Sequence, residues 1–338
     1  MTESENQYKD WRGLESAIQQ GARHAAAAAG SSSSASVSDR RSHAIYDRFL
    51  SRVFSDGAES GWLLKGGMAM LARVPDARRT KDLDLTVSGL ELDEAVRDLE
   101  QRAAREFGDH LQFTIVKQRQ NSAAEQQPYR DARQVHFVAR VGARKVADIK
   151  VDVVVAPAPI GEVEVVEPSE RLALSRALPD SPYRLYPLVD QLADKVCATM
   201  STYGAANLRS TRVKDLVDLV IAASTQTVNQ RQLQLAIATE RVRRRLPDEA
   251  VFEIPEHWEQ PYERLAAVTA AVNEYGTMKS ARALVDEFLA PALGQDRVAP
   301  DLEWQPRLVA DASEGTGWVR PHMRRSGPVR GYQRGDSL

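Results

Sequence analysis

The segment from Leu63 to Leu85 constrains the fold more than any other part of the sequence. A short apolar run ends in Lys65-Gly66-Gly67. Fourteen intervening residues separate it from the alternating run Asp82-Leu83-Asp84-Leu85. Paired glycines after a strand mark a turn, and a glycine turn that leads into a helix lets backbone N–H groups approach a phosphate. Aspartates at i and i+2 project from one face of a strand. The segment therefore predicts a strand, a glycine turn, a helix and a second strand that carries both aspartates on one face.

The two aspartates have a plain and a chemical interpretation. In the plain one, Asp82 and Asp84 are the solvent side of a half-exposed strand, and Gly66-Gly67 is an ordinary turn. In the chemical one, the aspartates are a pair of oxygen ligands of the kind that Mg²⁺ prefers. The glycine turn would then hold a phosphate beside the metal.

A third carboxylate comes from a later strand. In the run 148–154, Ile149, Val151 and Val153 share one face, and Asp152 lies on the other with a valine on each side. A carboxylate there needs a partner or a cation, whereas Asp148, nearer the hairpin turn, is more easily solvated. Three converging carboxylates would suit two-metal phosphoryl or nucleotidyl transfer.

The second half of the chain adds buried charge to helices. Lys195 lies inside the apolar stripe of a predicted helix, where a lysine either extends its head to solvent or meets an anion in a cleft, and Asp190 and Asp194 lie on the opposite face. In the next predicted helix Asp215 borders the apolar face, and Asp218 is expected further round toward solvent.

Hydrophobic periodicity divides the chain into five parts. With 338 residues, 43% of them hydrophobic, it is long enough for two domains. We predict a disordered low-complexity tail (1–36), a mixed helix–strand domain (37–156), a Pro-rich linker (157–186), a helical domain (187–310) and a disordered basic tail (311–338). The last two strands of the mixed domain are joined at Gly142-Ala143 and are predicted to form a hairpin.

Charge, cysteine content and hydropathy exclude several classes of protein. The formal net charge of −2 argues against a histone-like protein that relies on non-specific attraction to nucleic acid. A single cysteine, Cys197, excludes a disulfide framework and a thiolate zinc cluster. The sequence has neither an apolar stretch long enough to span a membrane nor the basic-then-apolar order of a signal peptide. We expect a soluble cytoplasmic protein with no membrane partner.

Taken in order, the motifs resemble those of a known family. They are Leu64-Lys65-Gly66-Gly67, Arg79-Thr80-Lys81-Asp82-Leu83-Asp84-Leu85, Ile149-Lys150-Val151-Asp152-Val153, Asp194-Lys195 and Arg212-Val213-Lys214-Asp215-Leu216-Val217-Asp218-Leu219. The series resembles the AbiEii/AbiGii nucleotidyltransferase toxins of bacterial type IV toxin–antitoxin and phage-abortive systems, within the DNA polymerase β-like superfamily. The likeness covers roughly residues 60 to 222.

The resemblance implies a fold and an activity. The fold class is α+β, a nucleotidyltransferase fold with a mixed sheet and flanking helices, followed by an all-α domain that completes the cleft. The implied enzyme uses Mg²⁺ as two ions and transfers NMP from an NTP to RNA, with the 3′ end of tRNA as acceptor and growth arrest as outcome. A cognate antitoxin is expected from a neighbouring gene.

The same resemblance assigns roles to residues. The implied metal ligands are Asp82, Asp84 and Asp152, with Asp82 and Asp84 also catalytic. The implied nucleotide- and phosphate-binding residues are Lys65, Gly66, Gly67, Thr80, Lys81 and Lys195. Lys195 is also expected to stabilise leaving pyrophosphate, and Asp215 is the final motif carboxylate, a base or an orienting group, with Asp218 as the alternative.

Two other functions stay open. The same chemistry could act on a small molecule or a protein hydroxyl, or the chain could be a non-catalytic nucleotide- or RNA-binding protein on this scaffold. The arginines of the helical half, among them Arg241, Arg243 and Arg244, could face RNA or belong to a solvated helix.

Overall fold

The computed structural model describes residues 8–28, 34–120, 131–168, 171–203 and 208–306, with short strands between 318 and 333. The chain divides into two compact units, Met1–Pro306 and Arg307–Leu338. In the smaller unit, Trp318–Val319 pairs with Tyr332–Gln333, and His322–Arg324 pairs with Gly327–Val329. Most of the basic tail predicted over 311–338 lies outside the described residues.

The larger unit is a mixed α+β structure, as predicted. Its helices are α1 (Trp11–Ala28), α2 (Ser34–Val53), α3 (Gly66–Arg73), α4 (Leu92–Ala103), α5 (Leu188–Met200), α6 (Val213–Thr225), α7 (Gln230–Arg244), α8 (Glu259–Ala266) and α9 (Met278–Leu293). Its main strands are β1 (Leu63–Lys65), β2 (Asp82–Val87), β3 (Leu111–Gln120), β4 (Asp131–Val141), β5 (Arg144–Val155), β6 (Glu164–Val166) and β7 (Tyr183–Leu185). No helix in the described part of the chain is both long and apolar enough to cross a membrane.

The seven strands form one sheet in the order β3-β4-β5-β2-β1-β7-β6. The pairs β2–β5 and β1–β7 are parallel, and the others are antiparallel. The predicted hairpin at Gly142-Ala143 is the β4–β5 turn, where Gly142 has φ +56°. Because β2 and β5 lie side by side at the centre of the sheet, the aspartates predicted from two distant segments become neighbours.

The helical half begins with a helix that is buried on all sides. Every residue of α5 from 188 to 199 is buried, because α6 and α7 both pack on it. Helix α6 packs in turn on α8 and α9. Asp190 and Asp194, predicted on the face opposite the apolar stripe, are therefore buried as well.

Two predicted irregular segments contain ordered elements of the larger unit. The tail predicted over 1–36 includes α1, which buries Leu14, Ala17 and Ile18 and packs on α2. The linker predicted over 157–186 includes β6 and β7, which extend the sheet beyond β1. Both predictions are wrong for these segments, because apolar side chains in each are buried, among them Leu14 and Ile18 in α1 and Tyr183 and Leu185 in β7. Residues 1–7 and 29–33 of the predicted tail lie outside the described residues.

Candidate active site

The glycine turn lies against the first aspartate pair. Strand β1 ends at Lys65, α3 begins at Gly66, and Gly66 has φ +67°, which favours glycine. A β-carbon at position 66 would overlap the carboxylate of Asp84, 2.7 Å from its Cγ. At Gly67 a β-carbon would lie 3.0 Å from Arg78 Nη1. The turn can approach Asp84 and Arg78 this closely because Gly66 and Gly67 have no side chains.

Replacing Gly66 with alanine should damage the site more than its backbone strain alone explains. The left-handed conformation costs an alanine about 1–2 kcal/mol, and the new methyl group must also displace Asp84. Gly89→Ala is a matched control, because Gly89 has φ +77° and a β-carbon added there would meet nothing within 4 Å. We expect both variants to lose stability in urea unfolding, and only Gly66→Ala to lose nucleotide transfer. Equal activity losses would contradict a contact-specific role for Gly66.

The predicted carboxylates share one face of the sheet. Asp84 is in register with Lys65 on β1 and with Asp152 on β5. Asp82 lies two residues earlier on the same face and is exposed, while Asp84 and Asp152 are partly buried. Asp148 is exposed, as predicted, and its carboxylate pairs with Lys145 at 2.7 Å. The structure thus brings together Asp82, Asp84 and Asp152.

The charges of these carboxylates repel one another. Burial and the neighbouring charge of Asp152 raise the pKa of Asp84 to about 6, against the opposing effect of Lys65 and Lys195. Burial, with a contribution from Asp82, also raises the pKa of Asp152. The carboxylates offer only oxygen ligands, and a divalent cation bound between them would offset the repulsion of their charges. The described residues contain no group of three or more histidine, cysteine, aspartate or glutamate side chains placed to hold a metal ion together, so the three carboxylates share a face without forming a closed cage.

Two polar residues that the sequence analysis missed hold Asp152. Gln134 Nε2 donates to Asp152 Oδ1 at 3.1 Å, and His136 Nε2 lies 2.8 Å from Gln134 Oε1. Because the amide oxygen can only accept, His136 carries its proton on Nε2. Both residues alternate with buried Val135 and Phe137 along β4. That alternation was the only feature of the sequence that indicated which face of the strand they occupy.

Lys195 meets anions inside the protein. Its Nζ lies 3.0 Å from Asp215 Oδ1 and 2.6 Å from Asp218 Oδ2. Asp218, expected toward solvent, is fully buried and receives two hydrogen bonds of 2.8 Å from Arg78 Nε and Nη2. That expectation was wrong because this side of α6 faces Lys195 on α5 and Arg78, which comes before β2. Arg78, missed from the sequence, therefore links the sheet half to the helical half.

This buried cluster keeps its charges. Burial opposes ionisation of Lys195, but Asp215 and Asp218 outweigh it and raise the pKa of the lysine. Burial likewise opposes ionisation of Asp218, but Lys195 and Arg78 hold its pKa below the ordinary value. An ammonium group has three N–H donors, and the two aspartates account for two of them.

The remaining predicted phosphate-binding residues lie at the rim of the turn. Lys65 Nζ is 3.8 Å from Asp194 Oδ2 and lies over the ring of Tyr186. Lys81 is exposed, and Thr80 is half-buried. His43 Nε2 lies 3.1 Å from the carbonyl oxygen of Thr80; the carbonyl only accepts, so this ring nitrogen carries the proton. Burial lowers the pKa of His43, which favours this neutral ring.

Gln191 on α5 was also missed. Its Nε2 donates to the carbonyl oxygen of Gly66 at 3.1 Å, one helical turn before Lys195. In a trans peptide the carbonyl and the next N–H point in opposite directions. Gln191 therefore turns the Gly67 N–H away from α5.

Two of the arginines considered for an RNA-facing surface serve the fold. Arg244 is buried between Asp194 and Glu240, with N–O distances of 2.6 and 2.8 Å. Arg241 donates to the carbonyls of Ala250, Pro247 and Asp248 in the turn that follows α7. The prediction of an RNA surface is wrong for Arg244, because its guanidinium is enclosed.

A protein-family model matches most of the chain. The model of the family described as "Nucleotidyl transferase AbiEii toxin, Type IV TA system" matches residues 48–295. A comparison with curated protein sequences gives no match.

A solved structure shows the same fold. The chain is similar to MenT4, a nucleotidyltransferase toxin from Mycobacterium tuberculosis H37Rv, with 17% identity, a TM-score of 0.54, and coverage of 82% of this chain and 90% of that one. It is less similar to JHP933 from Helicobacter pylori, with 13% identity, a TM-score of 0.37, and coverage of 73% and 94%. The family match spans the glycine turn, the three carboxylates and the buried lysine cluster, and the chain belongs to the AbiEii nucleotidyltransferase toxin family.

Proposed function

We propose that the protein transfers NMP from an NTP to a hydroxyl of RNA, with the 3′ end of tRNA as acceptor, and that the reaction requires Mg²⁺. The observation that carries the proposal is the register of β1, β2 and β5. It places Asp84 on β2 directly between the glycine turn that follows β1 and Asp152 on β5. A nucleotidyltransferase toxin that modified tRNA in this way would block translation and growth.

Asp82, Asp84 and Asp152 are the proposed Mg²⁺ ligands, for two ions. Bound Mg²⁺ would supply activation of the attacking oxygen and neutralisation of charge on the phosphates. The protein contributes oxygen ligands of the right class on one rigid surface, with Gln134 fixing the orientation of Asp152. The high pKa of Asp84 means that a nearby cation would favour its charged form.

The glycine turn and its lysines are the proposed triphosphate site. The proposed phosphate contacts are the backbone N–H groups of Gly66 and Gly67 at the start of α3, and Gln191 orients this turn by binding the Gly66 carbonyl. Lys65, Thr80 and Lys81 lie at the rim. The third N–H of Lys195 is proposed to reach a phosphate oxygen, with Asp215 as a positioning residue, in place of the base considered from the sequence.

The transfer itself is a displacement at phosphorus. The acceptor hydroxyl oxygen attacks the α-phosphorus, a new P–O ester bond forms, and the bond from the α-phosphorus to the bridging oxygen breaks. Pyrophosphate leaves with that oxygen, and the hydroxyl proton passes to solvent or to a site carboxylate. Lys195 and the turn stabilise the charge that develops on the leaving group.

The family also implies partners. Type IV toxin–antitoxin membership implies a cognate antitoxin and an NTP substrate. We propose that the antitoxin is encoded beside the toxin and that the toxin acts in the cytoplasm, where its tRNA acceptor is found.

A transfer assay tests the proposal. Purified protein and Mg²⁺ are incubated with total bacterial RNA and each α-³²P-labelled NTP in turn, and the products are resolved on a denaturing gel before and after RNase. We expect an RNase-sensitive band near tRNA length that is absent with Asp82→Ala and with EDTA. Label that survives RNase would move the acceptor to protein, and NTP binding without label in any product would contradict transfer.

A further inference from the structure

The face of the sheet that carries the carboxylates continues outward as a basic surface. Lys117 and Arg119 on β3 and Lys150 on β5 are exposed on this face. We call these three residues the basic strip. Among described residues, none of the three has an ion-pair partner, although the adjacent Lys145 pairs with Asp148.

Strand register places the basic strip in line with the site. One row across the sheet reads Lys65, Asp84, Asp152, Gln134 and Arg119 on β1, β2, β5, β4 and β3. The next row reads Asp82, Lys150, His136 and Lys117 on β2, β5, β4 and β3. Residues in register point to the same face, so both rows join the carboxylates to the strip without interruption.

The carboxylates separate the basic strip from the glycine turn. The turn follows β1, on one side of Asp84, and the strip lies on β5 and β3, on the other side. With strands about 4.8 Å apart, β3 is about 14 Å from β2. In a displacement at phosphorus, the attacking hydroxyl and the leaving group lie on opposite sides of the phosphorus atom. The basic strip and the glycine turn lie on opposite sides of the carboxylates in the same way.

We propose that the basic strip binds the phosphodiester backbone of the acceptor RNA strand next to its reactive end. The inference rests on the proposed function. Three exposed cations spread over about 10 Å, from β5 to β3, suit consecutive phosphates of a chain. A triphosphate is compact and already has a place at the glycine turn. Half-buried Gln134 and His136 lie between the cations and add polar groups to the same surface.

The test measures RNA binding separately from transfer. Full-length protein is titrated into a fluorescently labelled single-stranded oligoribonucleotide with a 3′-deoxy end, without NTP or Mg²⁺, over a series of salt concentrations. The variant is Lys117→Gln, Arg119→Gln, Lys150→Gln. Its matched control is Arg264→Gln, Lys279→Gln, Arg297→Gln, three exposed cations of the helical half. All six side chains are exposed, so both variants should fold, as circular dichroism would verify.

We expect the strip variant to bind RNA at least tenfold more weakly near 0.1 M salt. The slope of log K against log salt should fall in magnitude by about 2, because each lost phosphate contact removes about 0.7. The control should match wild type, and equilibrium dialysis should show unchanged NTP binding. Equal losses in variant and control, wild-type RNA binding by the variant, or loss of NTP binding alone would each overturn the inference. Failure of transfer with intact strip-dependent RNA binding would contradict the proposed function and leave the inference standing.

Discussion

Asp84→Asn is expected to lower the transfer rate about 10³-fold while making the folded protein more stable at pH 8. The activity falls because asparagine cannot supply the second charge of the proposed Mg²⁺ site, and several kcal/mol of charge stabilisation correspond to a loss of this order. The stability rises because the carboxylate that is removed is partly buried beside Asp152 and in contact with the glycine turn. The two measurements are single-turnover transfer and urea unfolding.

The pH dependence of the stability gain follows from the raised pKa. Asp84 has a pKa of about 6 in the folded protein against 3.8 as its ordinary value, so the folded state holds the proton more tightly than the unfolded state. The protonated carboxyl favours folding below pH 4, and that contribution is lost as the pH rises through 4 to 6. Above pH 6 the ionised group disfavours folding by at most about 3 kcal/mol. The free energy of unfolding of Asp84→Asn should therefore increase relative to that of wild type as the pH rises from 4 to 8.

Asp82→Asn is the control for Asp84→Asn. Asp82 lies on the same face two residues earlier, but it is exposed. We expect it to lose activity with a smaller gain in stability at pH 8 than Asp84→Asn shows, because the charge of Asp82 adds less than that of Asp152 to the raised pKa of Asp84. An Asp84→Asn protein that unfolds at lower urea than wild type at pH 8 would contradict the repulsion inferred between Asp84 and Asp152.

The parts of the site that could be predicted are those with a local periodic signal. Alternation put Asp82 and Asp84 on one face of β2 and Asp152 on the polar face of β5, and two adjacent glycines marked the turn. The neighbouring position of Asp84 and Asp152 followed only from the family resemblance, because strand order is set by contacts between distant segments.

Other features left no such signal. Helix α1 is rich in alanine and has few large apolar residues, so its packing on α2 could not be separated from a low-complexity tail. Gln191 and Gln134 are uncharged, and their importance comes from the atoms they meet, Gly66 O and Asp152 Oδ1. Asp218 was assigned from its own helix alone, and its partner Arg78 lies 140 residues earlier in the sequence.

Asp218→Asn is expected to cost about 3–5 kcal/mol of unfolding free energy, the usual result of removing one partner from a buried ion pair. Asparagine keeps the shape of the side chain but leaves Arg78 without its carboxylate and Lys195 with Asp215 alone. Transfer should fall as well, because Lys195 loses one of the two groups that position it. Urea unfolding gives the stability, and the transfer assay gives the activity.

Asp215→Asn and a double-mutant cycle give this prediction its controls. Asp215→Asn should cost less than Asp218→Asn, because Asp218 still binds both Lys195 and Arg78. Arg78→Met combined with Asp218→Leu should cost less than the sum of the two single changes, since apolar side chains of similar size replace a buried pair with little loss. A strictly additive cycle, or a cost below about 1 kcal/mol for Asp218→Asn, would mean that Arg78 and Asp218 do not join the two halves of the site. If the cycle shows coupling, the Arg78–Asp218 pair holds the loop before β2 against α6. The sheet that bears the carboxylates is then held in place against Lys195 of α5.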